Sequence, residues 1–173
     1  MSLVIEDGSG GNSAAVSYLD VARFRQFFTD RGESFDESDE EISGFIMLAM
    51  DVIEGFTYFG ERVNLDQPLS FPRSGVVMSD GRYLSIDSVP KELKAALAYM
   101  ARYFQQGEDP NEVRTAGVIM EKVSSLQIQY DSKNAQDRVE VTDLFAVANQ
   151  LRYLAVEFSS SVSGGVVAPL MRA

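Results

Sequence analysis

The chain contains neither cysteine nor histidine. Without cysteine no disulfide forms, so the fold stands on packing or on partners. Zinc sites of the usual Cys/His kinds are excluded. So are cysteine nucleophiles, and triads or general bases built on histidine. Positive charge is scarce: 15 Lys and Arg face 26 Asp and Glu, a net charge of −11. A protein that grips nucleic acid draws its affinity from clustered cations that release counterions, and this balance argues against such a role. An acidic surface instead keeps a chain soluble until a partner arrives. It also suits a wall past which double-stranded DNA slides without specific binding. No run approaches the roughly 18 apolar residues of a membrane helix, so no membrane contact is expected. The start, MSLVIEDGSGG, lacks the basic n-region of a signal peptide. The expected setting is the cytoplasm, or a particle assembled there.

What is present is enough to build a core. Of 173 residues, 45% are apolar, and they are patterned. The spacing predicts four helices, over residues 17–29, 39–56, 90–104 and 142–158. In the first, Ser17 and Asp20 offer a capping box. In the second, Ser38 and Glu41 do the same, and Ile42, Phe45, Ile46, Ala49, Met50 and Ile53 follow the helical period. Gly44 costs about 1 kcal/mol against alanine in a helix interior, which suits close approach by another helix. Pro90 is placed for the first turn of the third, whose stripe is Leu93, Ala96, Leu97, Met100, Ala101 and Phe104. Thr142 caps the fourth. Between helices, Asp80-Gly81 suggests a hairpin joining 75–78 to 82–85, and residues 118–123 and 126–130 read as two short strands. The fold class expected is mainly α: a small four-helix bundle with short β-hairpin excursions. The divisions are an N-terminal arm (1–16), a helical domain (17–158) and a flexible C-terminal tail (159–173).

No constellation for catalysis, metal or cofactor emerges. GSGG at residues 8–11 lacks the GK[ST] of a phosphate loop and the length of a dinucleotide fingerprint; it reads as a flexible arm. Residues 30–41 carry seven acids and one base. They read as a solvated loop and an acidic first helical turn, which the helix dipole favours, and they lack calcium-loop spacing. Two clusters interleave bases with aromatics, as a single-stranded-DNA site would: Arg23-Phe24-Arg25 with Phe27 and Phe28, and Arg102-Tyr103-Phe104. Both fall on helices whose aromatics also have core positions to fill. The chain is not expected to be an enzyme.

The order of features carries a resemblance. VIEDGSG precedes SYLDVARFRQFFTDRG; a long acid-capped helix follows; then come FPRSGV, DGRYL and VPKELKAALAYMARYF. Over roughly residues 3–105 this series resembles the head–tail connector (adaptor) proteins of tailed phages, part of which also carries the name DnaT-like single-stranded-DNA-binding proteins. The resemblance implies a virion structural protein at the head–tail interface, assembled in the host cytoplasm. Its copies would form a ring, dodecameric in that family, that docks on the portal protein and meets tail or nozzle proteins. It implies a subunit interface around Phe71, Pro72, Arg73 and Gly75, with Arg73 pairing across the boundary. It also implies portal docking through the tail, at Val166, Val167, Pro169, Leu170 and Met171. The alternative is a replication accessory protein that binds single-stranded DNA. No cofactor or metal is implied by either.

Overall fold

The computed structural model describes residues 3–10, 12–108, 118–123, 126–131 and 142–156. They form a mainly helical fold with four helices, α1 (Val21–Thr29), α2 (Asp39–Glu54), α3 (Lys91–Gln105) and α4 (Thr142–Leu151). Two small antiparallel pairs accompany them. β1 (Glu61–Arg62) pairs with β2 (Arg73–Ser74), and β3 (Val118–Val123) pairs with β4 (Leu126–Asp131).

α3 is the central element. It packs against α2 on one side and α4 on the other, and α1 lies across α2 and α3. The periodic positions meet here. Ile42, Ile46, Ala49, Met50 and Ile53 of α2 face Leu93, Ala96, Leu97, Met100 and Ala101 of α3, all buried. An aromatic cluster closes the α1 end: Phe24 lies 5.0 Å from Phe28, Phe28 5.1 Å from Phe35, and Phe27 5.4 Å from Tyr99, measured between ring centroids. Phe35 comes from the acidic loop, so that loop is tied down by its one aromatic residue.

The cap expected on α2 forms as a reciprocal pair. The Ser38 hydroxyl accepts from the Glu41 amide, and the Glu41 carboxylate accepts from the Ser38 amide at 2.9 Å. That contact holds the Glu41 carboxyl below its usual range. A depressed carboxyl adds stability above its unfolded pKa, about 4.3, and loses it as pH falls through the folded value. Ser38→Ala keeps the amide and removes the hydroxyl that also donates to Glu41 at 2.8 Å, so it should cost about 1 kcal/mol and return the Glu41 titration only part of the way to its ordinary position. Urea denaturation and an NMR titration of Glu41 check both; an unmoved Glu41 would show that the amide alone holds the carboxylate.

Several helix ends and caps differ from the sequence expectation. α1 begins four residues late, at Val21 rather than Ser17, because Ser17 is otherwise engaged. Its hydroxyl serves the Leu19 backbone, and its own carbonyl accepts from the Glu6 amide at 2.9 Å. Asp20 caps the helix instead, accepting from the Arg23 amide. Pro90 stands just outside α3, as its N-cap. Thr142 is the first residue of α4 rather than its cap. α4 stops at Leu151, because the chain beyond it is captured: the Phe59 amide donates to the Leu154 carbonyl and the Val156 amide to the Thr57 carbonyl.

The N-terminal segment is bound rather than free. Ile5 bridges Ser17 in parallel, and Leu3 and Ala15 enter the core. Glu6 is fully buried, and one carboxylate oxygen accepts from the amides of Gly8 and Gly10, each at 2.9 Å. Gly8, at φ +113, lies so close to the 87–88 backbone that a Cβ would stand 2.4 Å from the Asp87 carbonyl oxygen. The Asp80-Gly81 turn is present, with Val77 bridging Tyr83.

Candidate functional site

The FPRSG segment is folded into the chain's own interior. The Phe71 ring is fully buried, edge-on to Tyr58 at 5.0 Å and to Tyr18 at 6.5 Å. The Tyr18 hydroxyl donates to the Glu54 carboxylate and accepts from the Phe71 amide at 3.0 Å. The second Glu54 oxygen accepts from the Ser70 amide at 2.8 Å. Burial, and then the negative charge of Glu54, push the Tyr18 phenol well above its usual range, so it stays protonated and keeps donating. Pro72, joined to Phe71 by a cis peptide bond, is also buried.

Arg73 completes this knot. Its Nε donates to the Phe59 carbonyl at 2.8 Å. Its Nη2 donates to Gly60 at 2.6 Å and Tyr58 at 3.2 Å, and its Nη1 to Ser70 at 3.3 Å. One guanidinium thus ties residues 58–60 to residue 70. Gly60 is required for this approach: at φ +74, a Cβ there would stand 2.0 Å from the Ser74 carbonyl oxygen. Of the four residues expected at a subunit boundary, Phe71 and Pro72 have no surface to offer in this state. Arg73 is half-buried with its fork engaged by carbonyls, and Gly75 is exposed. The motif has an intrachain reason to exist that sequence reading missed. The tail residues Val166, Val167, Pro169, Leu170 and Met171 lie outside the described residues.

The two basic–aromatic clusters are largely engaged too. Phe24 and Phe28 are buried. Arg25 donates to the carbonyls of Phe35 and Glu37 and pairs with Asp39 at 3.0 Å. Arg102 pairs with Glu33 and lies over the rings of Phe28 and Tyr99. That ion pair sits in a depression of about 400 Å³ between the acidic loop and the end of α3.

Arg23 and Phe27 are engaged too, Arg23 with Asp20 at 3.7 Å and Phe27 beneath the Arg31 guanidinium at 3.6 Å. They line a cleft of about 300 Å³ between α1 and the start of α3, opposite Lys91 and Lys94, with Leu19 and Ala95 in its wall. Three cations meet there around one acid, Asp30. Burial and the nearby Arg23 both lower the Lys94 ammonium from its usual range, and Asp7 offsets them in part. Sequence reading named Arg23 and Phe27 but not the lysines. The available signal was their position, since lysine in a first turn opposes the helix dipole.

Apolar side chains also face outward. Tyr83 and Ile86 are 74% and 57% exposed on the 75–86 segment, and Val77 shares the hairpin. Among the described residues no group of acids is placed to hold a metal ion, and no helix is long and apolar enough to cross a membrane.

A family model described as "Putative DnaT-like ssDNA binding protein" matches residues 1–172. No curated protein matches the chain, and no solved structure matches it.

Proposed function

We propose a function on one premise: the chain belongs to the DnaT-like ssDNA-binding protein family. Within that family we read it as an assembly subunit, a virion head–tail connector. Its copies form a ring on the portal and extend the DNA channel toward the tail. The observation that carries this reading is where the cations go. Arg25, Arg73 and Arg102 bind carbonyls and carboxylates of their own chain, on a molecule of net charge −11. These three are thereby withdrawn from any phosphate backbone, whose neutralisation is the main source of affinity for DNA. The exposed Val77, Tyr83 and Ile86 support it, since a projecting apolar hairpin suits a protein partner better than water. In this reading the tail, through Val166, Val167, Pro169, Leu170 and Met171, anchors the ring to the portal. No catalytic step is assigned.

The second reading is single-stranded-DNA binding, and the family description favours it. Its site would be the α1–α3 cleft, with Arg23, Lys91 and Lys94 on phosphates and a base sharing the Phe27 ring with Arg31. Stacking of that kind contributes roughly 1–3 kcal/mol per base.

One experiment separates the two. The chain is co-expressed with the portal protein of its own genome, and the purified product is imaged by electron microscopy beside a salt titration on single-stranded DNA. The connector reading expects a ring capping the portal, lost on deleting residues 164–173, and DNA affinity that is negligible at every salt concentration. Bare portal rings, with DNA affinity that falls steeply with salt, would establish the second reading. A ring that forms equally well without residues 164–173 would remove the tail from docking alone.

A further inference from the structure

α2 is apolar on more than its inward side. Leu48 is 49% exposed, and Phe45, Met47 and Val52 are only partly covered. Gly44, Leu48 and Asp51 follow at i, i+4 and i+7, so they share the outward face. Gly44 has no intrachain explanation: a Cβ there would meet nothing within 4 Å, yet glycine costs about 1 kcal/mol in a helix interior. A neighbour that approaches this face closely would explain both the glycine and the bare leucine. The same face is acidic, with Glu40 and Asp51 exposed.

The α1–α3 cleft has the opposite character. Its wall is apolar, from Leu19, Phe27 and Ala95, and its rim carries Arg23, Lys91 and Lys94. It has room for an aliphatic side chain, at about 300 Å³. We infer that the outward face of α2 in one copy of this chain seats in the α1–α3 cleft of the next, Leu48 entering the cleft while Glu40 and Asp51 meet Lys91 and Lys94. Two different faces of one subunit are then matched. Such a contact is heterologous, so it propagates from copy to copy and closes into a ring when the rotation allows. The occupant is a second copy because the complementary charge and the exposed apolar knob are both carried by this chain. The inference rests on the assembly reading above.

Charge reversal on each side, followed by recombination, tests it. Lys91→Glu with Lys94→Glu places acids in the first turn of α3, where the dipole welcomes them, so the fold is kept; circular dichroism confirms that. Glu40→Lys with Asp51→Lys alters only exposed positions. Association is followed by analytical ultracentrifugation of the full chain and by electron microscopy with the portal present. Each double variant should associate at least tenfold more weakly than the parent chain, and the four-site variant should regain most of that loss. Leu48→Asp should weaken association without rescue. Normal assembly by the Lys91/Lys94 variant, or no recovery in the four-site variant, would overturn this contact and leave the ring to another surface. A parent chain that stays single both alone and with the portal would sink the assembly reading itself. Salt-dependent binding of single-stranded DNA that disappears in the Lys91/Lys94 variant would overturn the contact by giving the cleft to nucleic acid.

Discussion

Phe71→Ala should destabilise the protein by about 3–5 kcal/mol, the usual range for removing a buried phenylalanine. The ring is fully buried, and two tyrosines hold their rings edge-on to it. Truncation leaves a cavity that the neighbours are poorly able to fill. Tyr58 is fixed by its hydroxyl on the Ile53 carbonyl, and Tyr18 by Glu54 and the Phe71 amide. Partial relaxation is what makes the cost exceed simple transfer from water. Urea denaturation should show a lower midpoint with an unchanged slope, the mark of lost stability without a new unfolded state. Leu65→Ala is the matched control, because Leu65 is 96% exposed and surface truncations usually stay within about 0.5 kcal/mol. A Phe71→Ala loss as small as the control's would mean that this centre is loosely packed.

Arg73→Glu should be the next most damaging change. The substitution removes donors from four carbonyls, those of Tyr58, Phe59, Gly60 and Ser70, and sets a carboxylate among their oxygens. Hydrogen bonds to a charged group contribute about 1.5–3 kcal/mol, and solvent screening trims this for a half-exposed side chain. The expected cost is about 2 kcal/mol for Arg73→Ala and more for Arg73→Glu. Arg73→Lys should recover only part, because an ammonium lacks the fork that spans several carbonyls. Helicity at 25 °C should persist while the melting temperature drops. The sequence reading placed this arginine across a subunit boundary, with ring formation weakened and monomer helicity intact on its reversal. Equal melting temperatures for the parent and Arg73→Glu chains would restore that placement.

What the sequence made legible follows a physical line. α2 and α3 were readable because burial on one face writes a period into the chain, as at Ile42, Ile46, Ala49 and Ile53. The α2 cap was readable because Ser38 and Glu41 are three residues apart and settle their contact between themselves. β3 and β4 were found at their positions for the same local reason. The misses are events between distant segments. Ser17 has the chemistry of a cap, yet the Glu6 amide claims its carbonyl. α4 has apolar spacing out to Phe158, yet Thr57 and Phe59 draw the chain away after Leu151. FPRSG was set at a subunit boundary by the resemblance, and nothing in its own spacing marks it as buried. Only the fold shows the carbonyls it was shaped to hold. The cleft joins α1 to α3 across some seventy residues, so Arg23 was noticed without the lysines that give it company.

The bound N-terminal segment bears on how the protein is made. On a ribosome, residues 3–17 emerge well before the segments they contact, and N-terminal parts generally fold first when they are able to. Here they are not. Gly8 rests on Asp87 and Ser88, and the Gly10 carbonyl accepts from the Asn64 side chain. Residues 3–17 must therefore wait until residues 87 and 88 have been made. Residues 57–59 wait longer, for their partners at 154–156. Closure of so many long loops slows folding. A stalled or truncated nascent chain would expose Ile53, Tyr58 and Phe71 together, and should be the species that chaperones bind.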